Sequence, residues 1–476
     1  MATFEIANLY IYRLRYVIGY GLVGLLLVGL LVFAGLFLPG GLSQEEMDAV
    51  IKSDSITLTN FSSFAIQNLP FHLLQSVSID LFGVSNFSIK LPSLILGLFS
   101  ALGIIFLMGR WFKRNIAVLG SLIAISSSQF VFVAQSGTPG ILYIFWPVML
   151  LLLGTLITRG KKLRFLWKIL FFAAAALSLY TPLSVYPLIA ILLAVIFHPH
   201  LRNIVRNLSK PHLIMAITFS VIVLSPLAWG VIRDPSLGLA LLGIPPDLPN
   251  IIANIVTLGK QYVGFWKPST TTLMTPVFGL GSVLLILYGL YHLIKTREAT
   301  QSYLVIAWLL CLIPVLIINP SFTSVMFIPL VLLLTAGLHR LVSYWYRLFP
   351  LNPYARFAGL VPLVILVLAL ISSGVERYAY GYYYSPQTAQ NFSRDLTLLP
   401  KDTTRLLVTG TEKPFYDVVA HHRDNIQVIE TPSGDSFTAT RTAKQSSFEG
   451  YSVDRIVTSY SASDGDRFYI YKKTSE

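Results

Sequence analysis

Charge is what this sequence has least of. Asp, Glu, Lys and Arg make up 12% of the 476 residues, about half the share of a soluble globular chain, which excludes a fully solvated enzyme. Cysteine is nearly missing as well. Cys311 stands alone inside an apolar run, so no intrachain disulfide can form and nothing follows about redox compartment. No G-x-x-x-x-G-K-[ST] segment occurs, leaving nucleotide-driven transport without support. The long apolar runs contain no acid. A transporter places ionisable groups inside its spans, so this absence argues against one. The formal charge of +13 does not indicate nucleic acid either, because the bases sit in short loops between apolar runs, where the positive-inside rule puts them.

What is present is hydrocarbon. The chain is 54% hydrophobic with a mean hydropathy of +0.68, and runs of nearly 20 apolar residues repeat along it, the signature of a polytopic membrane protein. Eleven spans are expected: 17–38, 91–109, 116–134, 139–158, 165–181, 183–198, 212–232, 272–294, 301–318, 321–339 and 357–374. Thr181-Pro182 is either a kink in one helix or a turn between two. The first run lacks a small-residue cleavage site after it and reads as an uncleaved anchor. One set of loops carries 18 Lys and Arg and the other set 5. The N-terminus is therefore expected in the cytoplasm, with the 39–90 loop, the 233–271 loop and everything after 375 on the outer face.

The stretch from Pro39 to Pro92 concentrates the acids: Glu45, Glu46, Asp48, Asp54 and Asp80, against Lys52 and Lys90. Two short interfacial helices are expected in it, one over EEMDAVIKS and one over NLPFHLLQSVSIDLFG. Beyond residue 376 the composition turns aromatic and polar, and four β-type runs follow at 405–410, 425–430, 453–460 and 467–473. The organisation expected is a transmembrane domain over 1–375 and a small extracytoplasmic α/β domain over 376–476.

Three segments carry a family resemblance. Gly41-Leu42-Ser43-Gln44-Glu45-Glu46 is similar to an acidic pair that opens a first outer loop. Asn68-Leu69-Pro70-Phe71-His72, followed by Leu81-Phe82-Gly83 and then Lys90-Leu91-Pro92-Ser93, is similar to a Pro-rich interfacial segment and a Phe-Gly … Arg-Leu-Pro-Ser start of the second span, with Lys90 in place of Arg. Gln135-Ser136-Gly137-Thr138-Pro139 stands where a Gln-Glu-x-Arg-Pro motif belongs. The chain resembles the membrane glycosyltransferases of the GT-C fold, of the aminoarabinose-transferase and protein O-mannosyltransferase type. The likeness covers residues 1–300 and, by layout, the rest.

The resemblance implies an inverting, plasma-membrane transferase. It would move a sugar from a polyprenyl-phosphate donor to a glycan, lipid or protein acceptor at the outer face, with membrane lipids as the other partner. The acceptor hydroxyl needs a general base, for which Glu45 is the first candidate, Glu46 the second and Asp54 the third. The alternative for this acidic turn is a helix start capped by Ser43, since Ser43-x-x-Glu46 is a capping box. The phosphate would meet cations among Lys52, Lys90, Arg233, Lys260 and Lys267, with Trp266 and His72 as further substrate contacts. Lys90 as a helix-start anchor, Lys267 as a snorkelling lysine beside an interfacial Trp266, and His72 as a structural histidine are the competing readings. Ser136 and Thr138 replace the family's acid and Arg. No cofactor is therefore expected, a divalent ion remaining the alternative. The second functional reading is a non-catalytic relative that binds glycan or a partner in envelope assembly. His421-His422 with Asp417 and Asp424 is not expected to hold a metal, since adjacent side chains rarely converge on one ion.

Overall fold

The computed structural model describes residues 41–474 apart from 58, 160–163, 207–209, 248, 264–277, 298, 349–352, 384–390, 424, 446–447 and 459–465. It also describes Val17, Gly21, Gly24, Leu25, Val28 and Gly29. In chain order the helices are α1 (Gln44–Asp54), α2 (Leu69–Phe82), α3 (Asn86–Trp111), α4 (Arg114–Ile125), α5 (Ser128–Gln135), α6 (Leu142–Arg159), α7 (Arg164–Ser178), α8 (Val185–Phe197), α9 (Pro199–Arg206), α10 (Lys210–Arg233), α11 (Pro235–Leu242), α12 (Ile251–Val263), α13 (Leu280–Lys295), α14 (Thr300–Ile318), α15 (Phe327–Leu348), α16 (Pro353–Tyr378) and α17 (Lys413–His421).

The protein is a multi-pass membrane protein. Among the described residues six helices are long and apolar enough to cross a bilayer, and eight if each bent pair is one span. The expected runs from 91 onward each overlap a helix, Phe165–Ser178 and Leu280–Lys295 being shorter than a span; residues 272–277 and most of the 17–38 run lie outside the described residues. Two runs differ from a simple span. The 116–134 run breaks into α4 and α5 with a 58° bend, because Ser127 leaves the helix, donates to the Ala124 carbonyl at 2.6 Å and caps α5 at Phe130 N. The 183–198 run ends at Phe197, and α9 turns away by 94° as an amphipathic helix bearing Arg202 and Arg206. Thr181-Pro182 is a turn between α7 and α8. Leu183 takes a left-handed φ of 62° there, held by its N–H on the Leu241 carbonyl at 2.8 Å.

Hydrocarbon gives no hydrophobic drive between helices in a bilayer, so association depends on close backbone approach. α13 and α15 show it. A Cβ on Gly289 would sit 1.9 Å from the Leu333 carbonyl oxygen, and one on Gly337 2.1 Å from that of Leu285. The buried core of the bundle runs through α3, α5, α6, α14 and α15, with Phe130, Phe278 and Phe327 stacked through it.

At one end of the bundle α1 and α2 form the two short helices expected in the Pro39–Pro92 stretch, and the C-terminal domain sits against them. Its five strands are β1 (Arg405–Leu407), β2 (Gln427–Ile429), β3 (Ser436–Thr440), β4 (Tyr451–Thr458) and β5 (Arg467–Lys473), in the order β2-β1-β3-β5-β4. β1 pairs parallel with β2 and β3, and β5 pairs antiparallel with β3 and β4. Helix α17 makes the crossover from β1 to β2. The four β-type runs became β1, β2, β4 and β5. Strand β3 was not legible: SFTAT is short and three of its five residues carry hydroxyls, and it becomes a strand because it is paired on both sides. The domain is docked by Asn86, which donates to Asp395 at 2.8 Å and accepts from Leu396 N at 3.3 Å, and by an antiparallel bridge between Leu42 and Arg394.

Candidate active site

The three segments singled out in the sequence meet at one carboxylate. Glu46 is fully buried. Its Oε2 accepts from the Ser43 N–H at 2.8 Å, and Ser43 Oγ in turn accepts from the Glu46 N–H at 3.2 Å, completing the capping box of α1. Its Oε1 accepts from the Gly137 N–H and lies 3.9 Å from Lys90 Nζ. Gly137 is required by this approach: a Cβ there would stand 2.9 Å from Ile89 Cγ2 and 3.2 Å from Glu46 Oε1. Lys90 Nζ donates to the Gly41 carbonyl at 2.9 Å and lies over the Phe392 ring. Gln75 Nε2 bridges the carbonyls of Ile89 and Gly137. Gln135 is buried and accepts from the Tyr378 hydroxyl. Glu46 and Lys90 therefore hold α1, α3 and the 135–139 turn together.

In front of this junction opens a cavity of about 1100 Å³, lined by residues of α1, α2, the 136–143 turn, α12 and the chain around 320–324 and 391–392. Glu45 and Asp48, one turn apart on α1, share the face toward the cavity, while Glu46 is rotated away from it. Glu45 is exposed to solvent at the cavity. Burial, reinforced by the neighbouring charges of Glu46 and Asp48, pushes its carboxyl above the ordinary carboxylate range. Asp48 accepts from Gln44 Nε2 at 3.0 Å. Lys52, seven residues after Glu45, lines the same chamber, about 10 Å further along the helix axis.

His72 lies on the cavity wall with its ring almost wholly buried. Burial, helped by the nearby Lys52 charge, lowers its pKa to about 4. Its Nδ1 is 2.9 Å from Ser53 Oγ, which donates to Gln75 Oε1 at 2.7 Å. Ser53 Oγ also reaches the Ala49 carbonyl at 2.8 Å; a serine has one hydrogen to give, and with it donated to either oxygen the neutral imidazole donates from Nδ1. Ser136 and Thr138 also face the cavity, 2.9 Å apart and hydrogen-bonded to each other.

Not every candidate is brought to the chamber. Asp54, at the far end of α1, faces His421 and His422 at 3.5 and 3.3 Å. Arg233 stacks over the Trp229 ring at 4.2 Å. Lys260 is exposed on α12, whose Thr257 and Gln261 line the cavity instead. Trp266 and Lys267 lie outside the described residues. Asp48, Asn68, Tyr143 and Gln261 belong to the lining and were not singled out. Asp48 was recoverable from its i, i+3 relation to Glu45, and the others had no local signal.

Residues 69–229 match the sequence model of the dolichyl-phosphate-mannose-protein mannosyltransferase family. A comparison with curated protein sequences gives no match. In structure the chain is similar to ArnT from Cupriavidus metallidurans in the apo state, with a TM-score of 0.51 at 12% identity, over 96% of this chain and 98% of that one. It is similar to the same protein bound to undecaprenyl phosphate, with a TM-score of 0.50 at 13% identity, over 97% and 99%. The Archaeoglobus fulgidus oligosaccharyltransferase tethered to an acceptor peptide follows at 0.49 and 12% identity, over 87% of this chain and 64% of that one. This chain has the fold of the GT-C membrane glycosyltransferases, and its residues 69–229 carry the sequence pattern of their protein-mannosyltransferase branch.

Proposed function

We propose that the protein transfers a sugar from a polyprenyl-phosphate donor to an acceptor hydroxyl at the outer face of the membrane, with Glu45 as general base. The observation that carries this reading is a carboxylate facing a chamber of about 1100 Å³ with its proton affinity raised by burial. A base works best when its pKa approaches the operating pH. Lys52, on the same face of α1, is the described cation suited to the donor phosphate. The roughly 10 Å rise between the two leaves room for one sugar unit between phosphate and acceptor. The ArnT structure that holds undecaprenyl phosphate supports a donor of that class. Attack by the acceptor oxygen on the anomeric carbon displaces the lipid phosphate, and Glu45 takes the acceptor proton. An acceptor entering opposite the leaving phosphate inverts the anomeric centre.

The test is transfer of labelled sugar from a polyprenyl-phosphate donor in reconstituted membranes. Glu45→Gln keeps the side-chain shape but cannot take the proton, and is expected to lose about 10²–10⁴-fold in rate with donor binding kept. Lys52→Ala is expected to weaken donor binding and change the saturated rate less. Loss in Asp48→Asn with wild-type rate in Glu45→Gln would move the base by one turn. No transfer by the wild-type protein across a panel of donors and acceptors would favour a glycan-binding role. Ser136 and Thr138, uncharged where the resembled motif has an acid and an Arg, already point toward that role.

A further inference from the structure

Away from the cavity, the last turn of α1 meets the end of α17. The geometry points to a transition-metal site of the Zn²⁺ class formed by Asp54, His421 and His422, which ties the C-terminal domain to the helix that carries Glu45. Three observations support it. First, both imidazoles address one carboxylate oxygen: His421 Nδ1 is 3.5 Å and His422 Nε2 3.3 Å from Asp54 Oδ1. Adjacent histidines seldom converge, but here one uses its near nitrogen and the other its far one. His422 is also the C-cap of the helix, with φ −97° and ψ 6°, and its ring lies 5.0 Å from that of His421.

Second, the ligand spacing fits. Zinc–nitrogen and zinc–oxygen bonds of about 2.0–2.1 Å in tetrahedral geometry put ligand atoms about 3.3 Å apart. Two edges of the Asp54–His421–His422 triangle have that length, and all three ligand atoms lie within 4.8 Å of one another. The His421 side chain is 73% exposed, so it can adjust toward an ion. Third, the ligand set selects the ion. Two imidazoles and one carboxylate suit Zn²⁺ or Co²⁺, whereas Mg²⁺ and Ca²⁺ take oxygen donors. Three protein ligands leave the fourth tetrahedral position for water.

The site sits on an interface that already exists. Met47 and Val50 of α1 pack with Phe415, Val418 and Val419 of α17 in one buried cluster. An ion at Asp54 cross-links those two helices at their ends and fixes the wall from which Glu45 faces the cavity.

The test uses the full chain purified in detergent and stripped with a chelator. Titration with Co²⁺ alone is expected to give the visible d–d absorption of a tetrahedral site at one equivalent per chain, bleached by Zn²⁺. Zn²⁺ is expected to raise the unfolding temperature of the wild type. Asp54→Asn, His421→Gln and His422→Gln are each expected to lose the Co²⁺ spectrum and the Zn²⁺ stabilisation while unfolding at the wild-type temperature without metal. Because His421 is mostly exposed, its variant tests the site even if His422→Gln fails to fold. Absence of saturable Co²⁺ uptake by the wild type, or an unchanged spectrum in His421→Gln and Asp54→Asn, would overturn the assignment. None of these readouts depends on sugar transfer.

Discussion

Replacing Glu46 separates the structural carboxylate of α1 from the chemical one. Glu46→Ala removes three things at once. The N-cap loses its returning acceptor, worth about 0.5–2 kcal/mol. The Gly137 N–H loses a charged acceptor, worth about 1.5–3 kcal/mol. Lys90, 4% exposed, keeps the Gly41 carbonyl and the Phe392 ring but no counter-charge, and breaking a buried pair on one side costs about 3–5 kcal/mol. These contributions overlap, because all three measure the same carboxylate, and the expected total is about 4 kcal/mol rather than their sum. Glu46→Ala is expected to lower the unfolding midpoint in detergent, followed by tryptophan fluorescence, by roughly 4 °C. Glu45→Ala, on the cavity face one residue away, is expected to leave it nearly unchanged. A double-mutant cycle sharpens the point. Glu46→Gln with Lys90→Met removes both charges together and is expected to cost less than the two single changes added, by about 1–3 kcal/mol. A wild-type midpoint for Glu46→Ala with a large drop for Glu45→Ala would mean that α1 presents the opposite face to the cavity, and the assignment of roles would fail.

His72 gives a pH prediction. Its pKa falls from 6.5 unfolded to about 4 folded, so the folded state binds fewer protons between those values. The neutral ring contributes stability that is fully present above pH 6.5 and is lost as pH falls toward 4, about 3 kcal/mol in all; His72→Gln is expected to flatten the unfolding midpoint over that window, and an unchanged slope would refute the buried neutral ring. Gly289→Ala drives a Cβ to 1.9 Å from the Leu333 carbonyl oxygen, and the pair α13 and α15 is expected to lose about 1–3 kcal/mol, read as a lower midpoint; Gly109→Ala, which meets nothing within 4 Å, is the control. Ser433→Cys in a Cys311→Ala background is expected to react with a membrane-impermeant thiol reagent applied outside intact cells. Protection of that exposed position until lysis would show an odd error in the expected span count.

The sequence alone determined the solvent. Scarce charge and repeated apolar runs leave no soluble alternative, since hydrocarbon exposes no partner for a stray charge. It also determined the start of α1, because a capping box is local: Ser43 and Glu46 need only each other. The strands β1, β2, β4 and β5 were legible for the same reason, from composition over a few residues. Tertiary structure decided everything that depends on distant residues meeting. Glu45 and Glu46 are neighbours of one chemical type, and only packing against Gly137 and Lys90 turns one inward as a staple and leaves the other facing a chamber. The Gln135–Pro139 segment read as a motif stripped of its charges; in the fold its Gly137 N–H is what Glu46 holds. Arg233 and Lys90 looked like phosphate ligands because charge is scarce, yet Trp229 and Gly41 had already claimed them. Asp54 and His422 are 368 residues apart, so no spacing rule joins them. Periodicity and caps report forces acting along a few turns of chain; which side chain faces which depends on backbones brought together across the whole bundle.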